Sequence, residues 1–337
     1  MPSSRTTLST MSKALNLSIS TVSKALSGSH EIGDKTKKRV LEYAKQSNYV
    51  PNSLASSFRR GTTNTIGLIL PNVLNPFYAK VLVGVEAYLS EKGYKLITAI
   101  SNDFIEKETK NLSVMSSGFV DGLILCVSRE AVQKKDFEHI KTLIDNGTPI
   151  VTFDRICEEI DCDKVITDDY KAAFDATQYL ITQRHCKHIV ITSKTKTLSH
   201  LTLRKKGFIK AANMYKSKVK YTLITDERSI GLKDKLSNLL KEDPSVDGIF
   251  CLNEKSVLHA ILVTNKLKKE DCNISIAGFC NDMQSKYDAT LTVINQNAKE
   301  MGRASAKLLL DRIKSKDNRY NFSTKTIDVS LNTKNLH

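Results

Sequence analysis

Apolar and polar positions change rhythm once along this chain. Up to about residue 50 they recur at helical spacing, and from Asn64 onward short apolar runs alternate with amphipathic stretches. In the first region Leu8, Met11, Ala14 and Leu15 make one face of a predicted helix capped by Thr7, which Asn16 can leave in the left-handed conformation. Leu17 turns inward, Ser18 caps a second helix, and Val22, Ala25 and Leu26 form its buried stripe. A third helix, from about Asp34 to Ser47, sets Val40, Leu41 and Ala44 on one side. Two short helices joined by a tight turn, closed by a third, predict a helix-turn-helix. Pro51 stops the third helix. The run PNSLASSFRRG then spaces Ser53, Leu54, Ala55 and Phe58 for a further helix too short to be stable alone.

Beyond Asn64, the runs TIGLILP, YKLITAI, DGLILCV, PIVTFD, KVITDD, HIVITS, YTLIT, DGIFCL and ISIAGF are separated by helical stretches. Near-continuous apolar runs in such alternation predict buried parallel strands. The remaining length suits two sheets of five or six strands better than one. Ligands of such folds sit at the carboxyl ends of the strands, in a cleft between lobes.

Charge sharpens the reading of the first region. The chain carries a net +15, and residues 1–60 hold ten Lys/Arg against three acidic residues. A surplus concentrated there is the footprint of a phosphate-binding module. On the second helix Ile19, Ser20, Thr21, Ser23 and Lys24 point outward. That face suits a duplex: hydroxyls for phosphates, an apolar side chain for a thymine methyl, and a cation for guanine or phosphate. The bland alternative is an amphipathic hairpin with solvated serines.

Other chemistry is thin. The seven cysteines are scattered, an odd count that reads as reduced core thiols. His185 and His188 flank Cys186, but a metal needs three or four converging ligands, and two histidines at such a junction more often face solvent. Phosphate-loop, GxGxxG and GxSxG motifs are absent, so no catalytic group, cofactor or metal is assigned. No stretch is long and apolar enough to span a membrane and the polar N-terminal region lacks a hydrophobic signal segment, which predicts a cytoplasmic protein.

Specific runs carry a resemblance. STVSKAL (Ser20–Leu26), PNSLA (Pro51–Ala55), TNTIGLILP (Thr63–Pro71), NPFY (Asn75–Tyr78), FDR (Phe153–Arg155), GF (Gly278, Phe279), LTVINQ (Leu291–Gln296) and EMG (Glu300–Gly302) resemble the LacI/GalR repressors over nearly the whole chain. The resemblance implies an all-α helix-turn-helix domain over 1–50 and a hinge helix over 51–61. An α/β two-lobed, periplasmic-binding-protein-like core would follow over 62–331. Its N-lobe would span 64–160 and 292–331, with the helix Ala298 to Lys314 and a strand near Lys325 to Leu331, and its C-lobe 162–290.

It further implies a dimeric repressor on a near-palindromic DNA operator, controlled by a small effector, with sugars favoured over nucleobases. Base-facing positions would be Ile19, Ser20 and Lys24, with Thr21 and Ser23 towards phosphates, and the capping residues Thr7 and Ser18 would belong to the same DNA-binding set. The hinge would add Asn52, Ala55, Arg59 and Phe58, the last wedged into the minor groove. Effector residues would be Asn75, Phe77, Tyr78, Asp154, Arg155, Arg204, Asn253, Glu254, Asn281, Asp282 and Gln296. For Asp154 and Arg155 the alternative is an inter-lobe salt bridge. Departures from the family pattern include Lys24 where arginine is usual, Phe58 for leucine, Asn16 for a glycine and Glu254 for an aspartate. Cations near Arg204 (Lys194, Lys196, Lys205, Lys206) raise a phosphorylated or acidic effector, though a solvated basic face is the simpler reading. The rivals are a stand-alone sugar-binding protein without specific DNA recognition, and a cleft hydrolase using Asp154, Glu254 or Asp282.

Overall fold

The computed structural model describes residues 6–49, 61–155, 157–193, 198–226, 229–267, 274–280, 291–315 and 321–333. The chain divides into two compact units, 1–63 and 64–337. The predicted hinge helix over 51–61, with Asn52, Ala55, Phe58 and Arg59, falls almost wholly outside the described residues, as do Asn281 and Asp282.

In the first unit, helices α1 (Leu8–Leu15), α2 (Ile19–Leu26) and α3 (Asp34–Gln46) enclose Met11, Leu15, Val22, Ala25, Val40 and Ala44. Thr7 and Thr10 form a reciprocal capping box at the start of α1, and Asn16 ends it at φ 51°. Ser18 caps α2 by accepting from the Thr21 N–H. The Arg39 guanidinium donates to the Leu15 carbonyl at 2.9 Å, tying α3 to the turn. Ala14 and Leu41 do not join this core: Ala14 is exposed and Leu41 is 52% exposed. Six residues past Leu8 is about 240° around a helix, so Ala14 faces away from Leu8.

The second unit opens with β1 (Thr65–Leu70), α4 (Pro76–Glu91), β2 (Lys95–Ile100), α5 (Ile105–Ser116), β3 (Gly122–Leu125), α6 (Arg129–Lys134), α7 (Glu138–Asp145), β4 (Ile150–Phe153) and β5 (Asp163–Thr167). Next come α8 (Asp169–Thr182), β6 (His188–Ser193), α9 (Ser199–Met214), β7 (Lys220–Thr225), α10 (Ser229–Glu242), β8 (Gly248–Cys251) and α11 (Glu254–Leu267). The chain ends with β9 (Ser275–Phe279), β10 (Leu291–Asn295), α12 (Ala298–Lys314), β11 (Thr324–Ile327) and β12 (Ser330–Asn332). One sheet has the order β11-β5-β4-β3-β1-β2, with every pairing parallel. The other runs β12-β10-β9-β8-β6-β7, with only β12 antiparallel to its neighbour among the described residues.

Alternate side chains feed opposite faces. Ile66, Leu68 and Leu70 of β1 pack under α4 and α12, whereas Ile69 packs with Leu112, Phe137 and Ile140 on the other face. Two helix crossings are tight enough to need glycine. A Cβ on Gly84 would lie 2.0 Å from the Lys299 carbonyl oxygen, and one on Gly302 would lie 2.2 Å from that of Val81. In the second lobe, a Cβ on Gly207 would meet the Tyr170 carbonyl oxygen at 2.1 Å.

The expected lobe limits need correction. β5 pairs with β4 and β11, so the first lobe runs through Thr167 rather than ending at 160. β10 and β12 both lie in the second sheet, so residues 292–295 and 330–331 belong to the second lobe. A strand's own residues mark it as a strand; its sheet is fixed by which other strands it pairs with, such as Lys325 with Val165 or Leu291 with Ile276. The chain therefore changes lobes at 168, at 296–297 and at 328–329.

Candidate functional site

On α2, Ser20 and Lys24 are exposed, Ile19 is 49% exposed, and Thr21 and Ser23 are half-buried. Ser18 Oγ lies 2.8 Å from both Ser20 Oγ and Thr21 Oγ1, so these hydroxyls form one cluster at the helix start. Thr7 is exposed, with its hydroxyl committed to the α1 cap. Lys24 forms an ion pair with Glu31, which ties down the one cation on the outward face of α2. The surface is rich in hydroxyls, with one projecting aliphatic group.

In the second unit a cleft of about 90 Å³ lies between the sheets' carboxyl edges. Eight sequence-predicted residues line it: Asn75, Phe77, Tyr78, Asp154, Arg204, Asn253, Glu254 and Gln296. His200, Phe279, Cys280 and Asn295 also line it and were not anticipated.

Helix starts place several of these groups. Asn75 caps α4, its Oδ1 accepting from the Phe77 N–H at 2.9 Å. Asn253 accepts from the Ser256 N–H at 3.0 Å and the Ser256 hydroxyl at 2.9 Å. Both amide carbonyls thus accept within the protein, and the Asn253 NH₂ also donates to Ser193 Oγ at 3.4 Å, which leaves the Asn75 NH₂ and the second N–H of Asn253 as donors. The Phe77 and Tyr78 rings pack edge to face.

Asp154 sits at φ 67°, directly after β4. Burial pushes its carboxyl up to about 6, against the pull of Arg155 and Arg204. Arg155 is not in the cleft wall. Its Nη1 donates to Asp103 Oδ1 at 2.6 Å and to the Val127 carbonyl at 2.5 Å, and its Nη2 donates to the Tyr78 hydroxyl at 3.1 Å. All three partners belong to the first lobe, so Arg155 is neither an inter-lobe bridge nor a cleft-lining group. It braces Tyr78 from behind. The left-handed turn at Asp154 sends successive side chains in different directions, which the strand-end rule cannot foresee.

Arg204 is buried and held on several sides. Its Nε donates to Asp169 Oδ1 at 2.7 Å, its Nη1 to the Leu252 carbonyl at 2.8 Å, and its guanidinium carbon stands 3.7 Å from the Phe279 ring centroid. One turn earlier on α9, burial holds the imidazole of His200 well below its ordinary pKa, and Arg204, Arg155 and Arg129 push it further down. A neutral ring results. Its Nδ1, like Gln296 Nε2, is buried without a hydrogen-bond partner among the described residues. The basic, hydroxyl-rich run before Arg204 reads as a solvated face, and it hid His200; the four-residue spacing to Arg204 on one helix was the available signal.

His188 also differs from expectation. It is buried in β6 with Nδ1 3.0 Å from Ser245 Oγ and Nε2 3.0 Å from Thr222 Oγ1. No group of three His, Cys, Asp or Glu residues placed to hold a metal occurs among the described residues.

A helix-turn-helix unit and a two-sheet α/β unit with a polar cleft at the strand ends define a DNA-binding regulator with a small-molecule core. Residues 7–52 match the model of bacterial regulatory proteins of the lacI family, and residues 63–335 match that of periplasmic binding proteins and the sugar binding domain of the LacI family. The chain belongs to the LacI family of transcriptional regulators. It is 28% identical over 323 residues to the HTH-type transcriptional repressor PurR of Aliivibrio fischeri, covering 92% of this chain and 93% of that one. It is 27% identical to the ribose operon repressor of Halalkalibacterium halodurans, over 96% of each chain. A LacI-family transcriptional regulator from Silicibacter pomeroyi shares the fold at a TM-score of 0.75 and 21% identity, over 97% of this chain and 98% of that one.

Proposed function

We propose that this chain is a cytoplasmic, non-enzymatic repressor that grips a near-palindromic operator as a homodimer. Its release is set by an uncharged polyhydroxylated effector, a sugar or sugar derivative, in the cleft. The observation that carries the effector class is the pair of buried, unpartnered atoms His200 Nδ1 and Gln296 Nε2. Leaving such an atom unpaired costs about 1–3 kcal/mol. Ligand hydroxyls, which both donate and accept, can serve both atoms and also face the amides of Asn75 and Asn253. Phe77, Tyr78 and Phe279 supply apolar faces for a ring. Arg204 is already matched by Asp169, and the cleft adds Asp154 and Glu254, so a phosphorylated ligand would meet surplus negative charge. A relative named for the ribose operon agrees with a sugar.

The DNA-reading surface is assigned to Ile19, Ser20 and Lys24, flanked by Thr7, Ser18, Thr21 and Ser23. Ala55 and Phe58 would meet the minor groove, with Asn52 and Arg59 as further DNA contacts. Pairing of two copies is supported by the free edge of each sheet, where β2 exposes Ile97 and β7 exposes Tyr221 and Leu223. Effector binding shifts the population between operator-competent and incompetent lobe arrangements. The test is selection of bound sites from random duplexes, repeated with ribose, glucose and ribose 5-phosphate. We expect a near-palindrome whose affinity falls with a neutral sugar and not with the phosphate. Recovery of no enriched sequence under any condition rejects the proposal.

A further inference from the structure

Charge is unevenly placed in the second unit. Residues 176–225 hold eleven Lys/Arg and no Asp or Glu, whereas the rest of residues 64–337 holds thirty basic against thirty-three acidic residues. Arg204 is engaged by Asp169 in the cleft, and Lys220 is paired with Asp243. Five of the other cations reach one surface. Thr202, Lys206, Lys210 and Asn213 follow one another at i, i+4, i+8 and i+11 along the exposed face of α9. Past the end of that helix, Lys216, Ser217 and Lys218 are exposed in the turn into β7. Lys187 is exposed at the start of the neighbouring β6, where its carbonyl accepts from the Lys220 N–H at 2.9 Å. Lys187, Lys206, Lys210, Lys216 and Lys218 have no ion pair among the described residues. The acidic residues of the adjoining α10–β8 turn are already taken: Asp243 by Lys220, and Asp247 by the Lys187 and His188 N–H groups. Helix rise and strand spacing give the stripe a length of roughly 20 Å.

We propose that this stripe is a second, sequence-independent surface for the phosphate backbone of duplex DNA, separate from the helix-turn-helix. A duplex carries one charge per about 1.7 Å of axis, so a stripe of this length faces roughly a dozen of them. Its composition selects the occupant. Protein-docking patches are built round aromatic, methionine and arginine anchors and are depleted in lysine. Here the cations are all lysines, and Met214 is the one exposed large apolar residue of α9. Lysine ammoniums act as point charges for phosphate, and the hydroxyl and amide groups of Thr202, Asn213 and Ser217 beside them complete a backbone-contact set. With no arginine among them to fork onto guanine, the contacts carry no sequence preference. The helix dipole accounts for a lysine just past the end of α9, but not for Lys206 and Lys210, which lie before its last turn. A molecule on its operator thereby gains a second hold on duplex and can join two segments. The proposal does not rest on the effector reading.

The test is lysine footprinting of the full-length protein with a mixed-sequence duplex of about 60 base pairs, in excess at about 0.05 M salt. Brief acetylation is read residue by residue by mass spectrometry. We expect Lys206, Lys210, Lys216 and Lys218 to be labelled roughly threefold or more slowly with duplex, with the protection lost by about 0.5 M salt. Lys107 and Lys110, exposed on α5, should keep their free rates. In a second measurement, Lys206→Gln/Lys210→Gln/Lys216→Gln/Lys218→Gln should make the slope of log affinity against log salt shallower by about 3. All four side chains are on the surface and unpaired, so the variant should melt with the wild type, which calorimetry checks. Protection confined to N-terminal lysines such as Lys13 and Lys35 overturns the proposal while leaving operator binding intact. Equal salt slopes for wild type and variant also overturn it. So does stronger protection by polyglutamate or by anionic lipid vesicles than by duplex of equal charge, which would give the stripe to an acidic protein or a membrane.

Discussion

Replacing Arg204 with methionine keeps most of the side chain's length and removes its charge. The structure then leaves Asp169, which is 2% exposed, without the Nε donor at 2.7 Å, and the Leu252 carbonyl without its donor at 2.8 Å. The Asp169 carboxyl is already raised above its ordinary value by burial, and Arg204 is the main influence lowering it. Removing one partner of a buried pair costs about 3–5 kcal/mol, because the other charge stays buried and uncompensated. For a unit of this size each kcal/mol moves the melting temperature by roughly 2–4 °C, so Arg204→Met should lower the core transition by roughly 6–20 °C. The assay is calorimetry of the full chain at neutral pH, with Arg204→Met/Asp169→Asn as the partner variant. The double variant should recover part of the loss, since no buried charge is then stranded. A core transition within 2 °C of wild type for Arg204→Met, or a double variant that melts lower than the single, would refute the reasoning.

Other expectations concern separate parts of the molecule. Asp154 has a folded carboxyl raised to about 6 from 3.8, so its contribution favours the folded state at low pH and is lost as pH rises through that window. Urea melts should therefore show Asp154→Asn gaining on wild type by about 2 kcal/mol between pH 4 and 7, and a constant difference would exclude the shift. Glu31→Gln frees Lys24 from its ion pair, so operator affinity should rise a few-fold, with a salt dependence steeper by about one phosphate contact. An unchanged slope in titrations at several salt concentrations would count against Lys24 reaching DNA. Met11 is fully buried in the three-helix core, and Met11→Ala should cost about 2–5 kcal/mol there and abolish DNA retardation. The core transition in calorimetry should stay in place, and a shift of both transitions together would contradict two separate units.

Much of this architecture could be read from local signals, and the failures share a cause. The strand runs, the caps at Thr7 and Ser18, the αL exit at Asn16 and the helix Ala298–Lys314 all depend on residues within a few positions of one another. Membership of a sheet does not: β5 joins β4 and β11, and β10 joins β9 and β12, pairings that the residues of the strands themselves do not signal. In the cleft, rules for strand ends and helix starts found Asn75, Asp154 and Asn253. They could not separate Asp154 from Arg155, whose directions diverge at a left-handed residue. His200 and Phe279 come from different elements and meet only around Arg204, so neither carried a sequence signal of its own. Leu41 follows Val40 by about 100° on α3, far enough to leave the core.

The glycine crossings bear on how the molecule moves. With the Gly84 and Gly302 backbones pressed against opposing carbonyls, α4 and α12 have no slack to slide past each other, and Gly207 does the same for α8 and α9. Each lobe is thereby stiffened into a block. Deformation is left to the connecting stretches at 168, 296–297 and 328–329, so a bulkier residue at any of these glycines should jam or detune the switch before it unfolds the protein.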